Sequence, residues 1–312
     1  MTEAIIVQGS GVLEEAIEVY RSGLCAGSAR VYLARIDKFM AWHAQQEPAP
    51  FVALLRHYMS YLQDQGLKPR TVQQHVNTIK GLIRTAAALD TSAQLAGFLS
   101  QLDLVKPPKV RGEVQGDRLD AKQRQALINQ PGVDTHKGRR DTAILALMSV
   151  CGLRRSEVCA LNWGHIAELD GHKVIKHLVG KHGRVRTVKL PAALWRRMID
   201  YAQQAEISTV WDAPVFVAIR KSDAVQHGQR LTDNAIAWLV DFYIKEALIG
   251  CEGITAHDLR RTAANLSRKG GATIEQVQNM LGHSSPQTTS QYIGESLDLD
   301  DHAVDYSKVT IP

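Results

Sequence analysis

Residues 139–158 read Arg-Arg-Asp-Thr-Ala-Ile-Leu-Ala-Leu-Met-Ser-Val-Cys-Gly-Leu-Arg-Arg-Ser-Glu-Val. Over 139–151 the apolar side chains Ile144, Leu145, Leu147 and Met148 predict a buried helix, and Gly152 ends it. A second helix is expected to start at Arg154–Ser156. Arg154 stands at the junction with Glu157 three positions on. Alone, that spacing reads first as a local ion pair on a helix surface.

Downstream, His172–Gly180 and Arg184–Leu190 read as two strands of a hairpin joined through Lys181-His-Gly. Helices are expected at Ala192–Gln204, Asp233–Leu248, His257–Lys269, Ile274–Leu281 and Pro286–Tyr292. Thr273 and Gln276 form a capping box, and Gly270-Gly271 separate two of these helices. Just upstream, Asp120 caps a helix running to about Asn129.

The first third reads as helical throughout. Ser28 is expected to cap a helix bearing Tyr32, Ile36, Phe39 and Met40, and a second runs near Phe51–Gln65. A third begins after Pro69, with Thr71 and Gln74 as a capping box and Val72, Val76, Ile79 and Ile83 as its buried stripe. Leu95–Leu104 forms a short fourth. The polar face Gln73, Asn77, Lys80 and Arg84 suits a DNA groove, amides to bases and cations to phosphates. A solvated face accounts for it equally well. Residues 105–116, Val-Lys-Pro-Pro-Lys-Val-Arg-Gly-Glu-Val-Gln-Gly, read as an extended basic linker whose Lys106, Lys109 and Arg111 could follow a phosphate backbone. The expected domains are 1–105, a linker at 106–117, a second domain at 118–293 and an acidic tail at 294–312.

The chain of 312 residues carries 37 Lys and Arg against 32 Asp and Glu. The excess is uneven: residues 106–140 hold nine basic and four acidic side chains, which fits a polyanion partner. Cys25, Cys151, Cys159 and Cys251 are scattered without a C-x-x-C pair, so they read as thiols in a reducing compartment and neither as a disulfide frame nor as a zinc site. Met1–Gly11 has no basic start and no long apolar core. No apolar run reaches the roughly 18 residues of a membrane span. A cytoplasmic protein is expected.

Breaking a phosphodiester needs a nucleophile, charge on the non-bridging oxygens and a proton for the leaving oxygen. No tight acidic cluster lies near the basic motifs, so that charge falls to side chains, and two arginine forks can do much of a metal's electrostatic work. Taken singly, His257 and Arg260 on one helical turn, Gly282-His283 at a helix end, Lys181 at a hairpin tip and the lone Tyr292 are each ordinary surface or core residues. Their ordered co-occurrence is not ordinary.

Cys151-Gly-Leu-Arg-Arg-Ser-Glu-Val, Val179-Gly-Lys-His-Gly-Arg, Ala256-His-Asp-Leu-Arg-Arg-Thr-Ala-Ala and Leu281-Gly-His-Ser-Ser-Pro-Gln-Thr-Thr-Ser-Gln-Tyr resemble the signature boxes of the tyrosine recombinase, or phage integrase, family. The likeness covers about 120–293, and the helical 10–105 region resembles the family's core-binding domain less specifically. It implies a mainly α fold: a helical SAM-like core-binding domain, then a mixed α+β catalytic domain with a small antiparallel sheet. It implies that Arg154 and Arg260 clamp the phosphate, supported by Glu157. Tyr292 is then the nucleophile, His257 its proton acceptor, Lys181 the acid for the 5′-oxygen and His283 a hydrogen-bond donor to the phosphate. It implies no metal and no other cofactor. The implied partners are double-stranded DNA with inverted-repeat core sites and three further copies of the chain, which the acidic tail would join; accessory DNA-binding proteins are compatible with it. Arg155 stands where an apolar residue is frequent in the family, and Arg261 where a histidine is common. The early start of the helical domain points to a simple-site enzyme of Xer, integron or mobile-element type. A type IB topoisomerase and a non-catalytic DNA-binding descendant of a recombinase are the alternatives; the first commonly has lysine where His257 stands, and the second has no need of Tyr292.

Overall fold

The structure, a computed structural model, describes residues 10–24, 26–89, 99, 101–108, 118–179, 185–247, 253–283, 285 and 289–290. It divides into two compact units, Met1–Glu113 and Val114–Pro312.

The first unit is built from α1 (Ser10–Ser22), α2 (Ala26–His43), α3 (Phe51–Asp64) and α4 (Pro69–Leu89). Residues at helical spacing meet in one core: Ile36, Phe39 and Trp42 from α2, Leu55, Tyr58 and Leu62 from α3, and Val72, Val76, Ile79 and Ile83 from α4. Three expectations need correction. Ser28 lies inside α2, which begins two residues earlier. Pro69 opens α4, where its missing N–H costs nothing, and the amides of Thr71 and Val72 donate to the Lys68 carbonyl at 2.8 and 3.1 Å. Thr71 is thus in the first turn and makes no capping box, while the Gln74 side-chain oxygen accepts from Arg35 at 2.6 Å. Lys80 is 6% exposed and its Nζ donates to the Val105 carbonyl at 2.5 Å. The 105 segment covers that side of α4, so Lys80 is a buried structural donor and is not part of the exposed polar face of α4. The short helix expected over Leu95–Leu104 falls largely outside the described residues.

The second unit runs α5 (Ala121–Asn129), α6 (His136–Ser149), α7 (Arg155–Ala160), a 3₁₀ turn at Trp163–His165, β1 (Ile166–Leu169), β2 (His172–Val179), β3 (Val185–Lys189), α8 (Ala192–Gln204), β4 (Val217–Ile219), β5 (Val225–Arg230), α9 (Asp233–Ala247), α10 (Ala256–Lys269) and α11 (Ile274–Leu281). The fold is mainly helical with small antiparallel sheets. Helix α6 is its axis: Arg140 through Ser149 are all buried, with α8 and α10 packed on it. The buried ion pair of α6, Arg140 with Asp141 at 2.7 Å, is satisfied further by the Val217 carbonyl and the Tyr243 hydroxyl.

Strands β1, β2 and β3 form an antiparallel sheet in that order, with Ile175 opposite Val188 and Leu178 opposite Arg186. A bulge between Ile175 and Leu178 contains His177 at φ 57°. The hairpin was legible; β1 and the two-stranded β4–β5 sheet were not, because β1 and β4 are too short for alternation to register. Among the described residues no helix is long and apolar enough to cross a membrane.

Candidate active site

Gly152 adopts φ 66°, a conformation that turns the chain out of α6 without the β-carbon clash other residues meet there. Arg154 follows in extended backbone as the N-cap of α7. Glu157, at the third helical position, reaches back to accept from the Arg154 amide at 2.7 Å and from its Nη1 at 2.8 Å. Arg154 keeps 30% of its side chain exposed while anchored from one side.

Glu157 is itself buried and has a second partner. Arg186, on the core face of β3, forks onto both of its oxygens at 2.7 Å. Burial alone would raise the Glu157 pKa. The Arg186 hydrogen bonds and charge, then the Arg154 amide and guanidinium, outweigh it and hold the carboxyl below its usual range. No motif had singled out Arg186. Strand alternation was the available signal, since Arg186, Val188 and Leu190 share one face and all three are buried.

Helix α10 starts at a capping box in which Thr255 donates its amide and hydroxyl to Asp258 at 2.9 and 2.6 Å. This fixes the turn that carries His257 and Arg260. Arg260 is 1% exposed, and its Nη1 and Nη2 donate to the carbonyls of Gly152 and Leu281. One guanidinium thereby ties α10 to the turn before Arg154 and to the end of α11. Desolvation, then the nearby Arg261 charge, lowers the His257 pKa, while Asp258 acts against this and Arg260 and Arg154 act with it.

Helix α11 is capped at its start by Thr273 and Gln276 and ends at Gly282, φ 67°. His283 comes next, half-buried, with Nδ1 3.1 Å from the Thr289 hydroxyl. Burial first, then Arg260, Arg154, Arg186 and His257, pulls its pKa down to about 4. Both imidazoles are therefore mostly neutral near pH 7, among guanidinium groups.

Arg154, Arg155, Ser156, Asp233, Ala256, His257 and Arg260 line a single cleft of about 320 Å³. The structure thus brings Arg154, Glu157, His257, Arg260 and His283 into one neighbourhood. Lys181 and Tyr292 lie outside the described residues. Asp233, which sequence reading missed, holds Arg155 at 3.2 Å on the cleft's edge, and Arg261 is paired with Asp258 at 3.0 Å. Among the described residues no group of three His, Cys, Asp or Glu side chains could hold a metal.

The sequence model of the phage integrase family matches residues 117–297, which span this whole site. The chain belongs to that family. It is a tyrosine recombinase, and its relatives agree. It is 29% identical over 241 residues to the tyrosine recombinase XerC of Corynebacterium efficiens, covering 76% of this chain and 71% of that one. It is 26% identical over 302 residues to the tyrosine recombinase XerD of Vibrio cholerae, covering 94% of each. In fold it is similar to a lambda integrase (75–356) dimer bound to a COC′ core site, with TM-score 0.64 at 18% identity over 91% of this chain and 97% of that one. It is likewise similar to the Tn1549 transposon integrase in complex with circular intermediate DNA, with TM-score 0.65 at 16% identity over 95% and 99%.

The recombinase's candidate DNA residues in the first unit are less uniform. Asn77 and Lys106 are exposed and Gln73 is half-buried. Arg84 is exposed and paired with Asp103 at 2.8 Å. Lys80 is buried, as described, and Lys109 and Arg111 lie outside the described residues.

Proposed function

We propose that this recombinase cuts and rejoins DNA at a specific site through a 3′-phosphotyrosyl intermediate on Tyr292. Arg154 and Arg260 hold the non-bridging oxygens of the scissile phosphate. The phenol oxygen of Tyr292 bonds to phosphorus as the bond to the 5′-oxygen breaks. His257 takes the phenol proton, which its neutral ring can accept, and Lys181 supplies a proton to the departing 5′-oxygen. A phenol with an ordinary pKa of about 10 needs both that base and a cationic surrounding. His283 donates a hydrogen bond to the phosphate. The phosphoester is conserved on Tyr292, so the 5′-hydroxyl of another strand reseals it without an external energy source.

The observation that carries this reading is the cleft shared by Arg154, His257 and Arg260, with both arginines fixed by partners of their own. On the same reading the enzyme acts in the cytoplasm as a homotetramer on double-stranded DNA with inverted-repeat core sites. It passes through a Holliday junction to integrate, excise or resolve a mobile element or replicon. Residues 1–105 form the core-binding domain, 106–117 a basic linker, 118–293 the catalytic domain and 294–312 the tail that contacts a neighbouring subunit. The deciding experiment is Tyr292→Phe. The variant should bind site DNA and yield no covalent protein–DNA adduct on a denaturing gel; an adduct retained by it would refute the assignment.

A further inference from the structure

Arg186 belongs to none of the motifs that carry the resemblance, yet it touches three parts of the site. Its Nη1 and Nη2 grip Glu157, the residue that holds Arg154. Its Nε donates to the Met280 carbonyl at 2.9 Å, at the end of α11. Its Cδ fills the space where Gly282 has no side chain, immediately before His283. It also stands on β3 five positions after Lys181 in the chain. The Glu157 carboxylate accepts from four donors, two from Arg186 and two from Arg154. The guanidiniums of Arg186, from β3, and of Arg154, from the head of its own helix, are the charged groups that act on it.

We propose that Arg186 is a positioning residue for strand cleavage: through Glu157 it fixes the phosphate-facing arm of Arg154, and through Met280 and Gly282 it fixes His283 against that arm. A lysine at this position keeps the charge but cannot fork onto both carboxylate oxygens while reaching Met280. Loss of the fork leaves Arg154 tethered to a carboxylate that can itself turn. Misplacement of a phosphate-holding group by about 1 Å costs roughly 100-fold in rate. A purely structural ion pair would instead affect folding, and removing both of its charges together would restore what removing one loses.

This inference rests on the function proposed above. Its test uses the full chain and a duplex that the chain selects from a random-sequence pool, nicked at successive positions so that a covalent adduct is trapped. Arg186→Lys should form the adduct roughly 100-fold more slowly, a loss well beyond what its lower melting temperature or any change in duplex affinity accounts for. The double variant Glu157→Gln with Arg186→Met should recover stability relative to Arg186→Met alone without recovering the rate. If wild-type chain forms no adduct on any nicked duplex, the functional reading falls and this inference with it. If the wild type forms it and either variant matches the wild-type rate, the inference alone falls. It falls equally if both variants lose cleavage only in proportion to lost folding and binding, for then Arg186 is structural.

Discussion

Gly282 and Arg186 pack so closely that a β-carbon on the glycine would lie 2.8 Å from Cδ of the arginine. The arginine cannot swing aside cheaply, because its guanidinium is held by Glu157 through both Nη atoms and by the Met280 carbonyl through Nε. Gly282 is also left-handed at φ 67°, a conformation costing a β-carbon-bearing residue about 1–2 kcal/mol. Gly282→Ala should therefore destabilise the second unit by more than that strain alone. Gly171→Ala is the matched comparison, since φ is 75° there and nothing lies within 4 Å of the added carbon. Denaturant melts of the two variants check it: equal losses would mean that Arg186 yields freely.

Arg260 is a buried cation whose charge faces two backbone carbonyls from different parts of the chain. Arg260→Met removes the charge but strands the Gly152 and Leu281 carbonyls, and each buried acceptor left without its donor costs about 1–3 kcal/mol. The variant should lose stability as well as adduct formation. Arg154→Met, with a side chain already 30% exposed, should lose adduct formation at little cost to stability. Comparing melting temperatures with single-turnover cleavage for the pair checks this; similar melting losses would contradict it.

What could be read in advance follows the range of the interactions. The Asp120 cap and the Thr273/Gln276 box involve neighbours three apart, and both form as expected; Gln123 completes a box with Asp120 that the sequence reading did not name. The same pattern misled at Thr71 and Gln74, because Pro69 had already opened the helix one turn too early for Thr71 to cap it. Helical periodicity placed Lys80 with Gln73, Asn77 and Arg84, but it has no knowledge of the 105 segment that returns over Lys80. Arg186 pairs with a residue 29 positions away, and Arg260 with carbonyls 108 and 21 positions away. Taken singly, the arginine and histidine boxes read as ordinary; their ordered co-occurrence and the family resemblance singled them out. The local Arg154–Glu157 pair was readable, but the tertiary partners that hold Glu157 and Arg260 were not.

His283 should make the second unit's stability pH-dependent. In the unfolded chain its ring takes a proton near 6.5, whereas in the folded chain it does so only at about 4. Between those values the unfolded state binds more protons, so stability present above pH 6.5 is lost as pH falls towards 4. His257 is shifted in the same direction and adds to the slope. His283→Gln should flatten the dependence in part, measured as melting temperature against pH from 7 to 4. A bound phosphate opposes the guanidinium charges that add to burial in keeping both rings neutral, so DNA binding below pH 6.5 should take up protons. Calorimetry of binding in buffers of different ionisation enthalpy checks that uptake; heats independent of buffer would count against it.

Lys80 separates charge from contact. Its Nζ is spent on the Val105 carbonyl, and burial lowers its pKa. A lysine that contacts a phosphate contributes about one unit to the slope of log affinity against log salt. Lys80→Met should leave that slope unchanged while lowering the stability of the first unit, because the Val105 carbonyl loses its donor. Lys106→Met is the contrast: that side chain is exposed, on the segment read as a basic strap, and its loss should reduce the slope and spare stability. Salt titrations of DNA binding, paired with melts of each variant, decide between these roles. A shallower slope for Lys80→Met would return that residue to the DNA-facing set, and the hydrogen bond to Val105 would then have to open on binding.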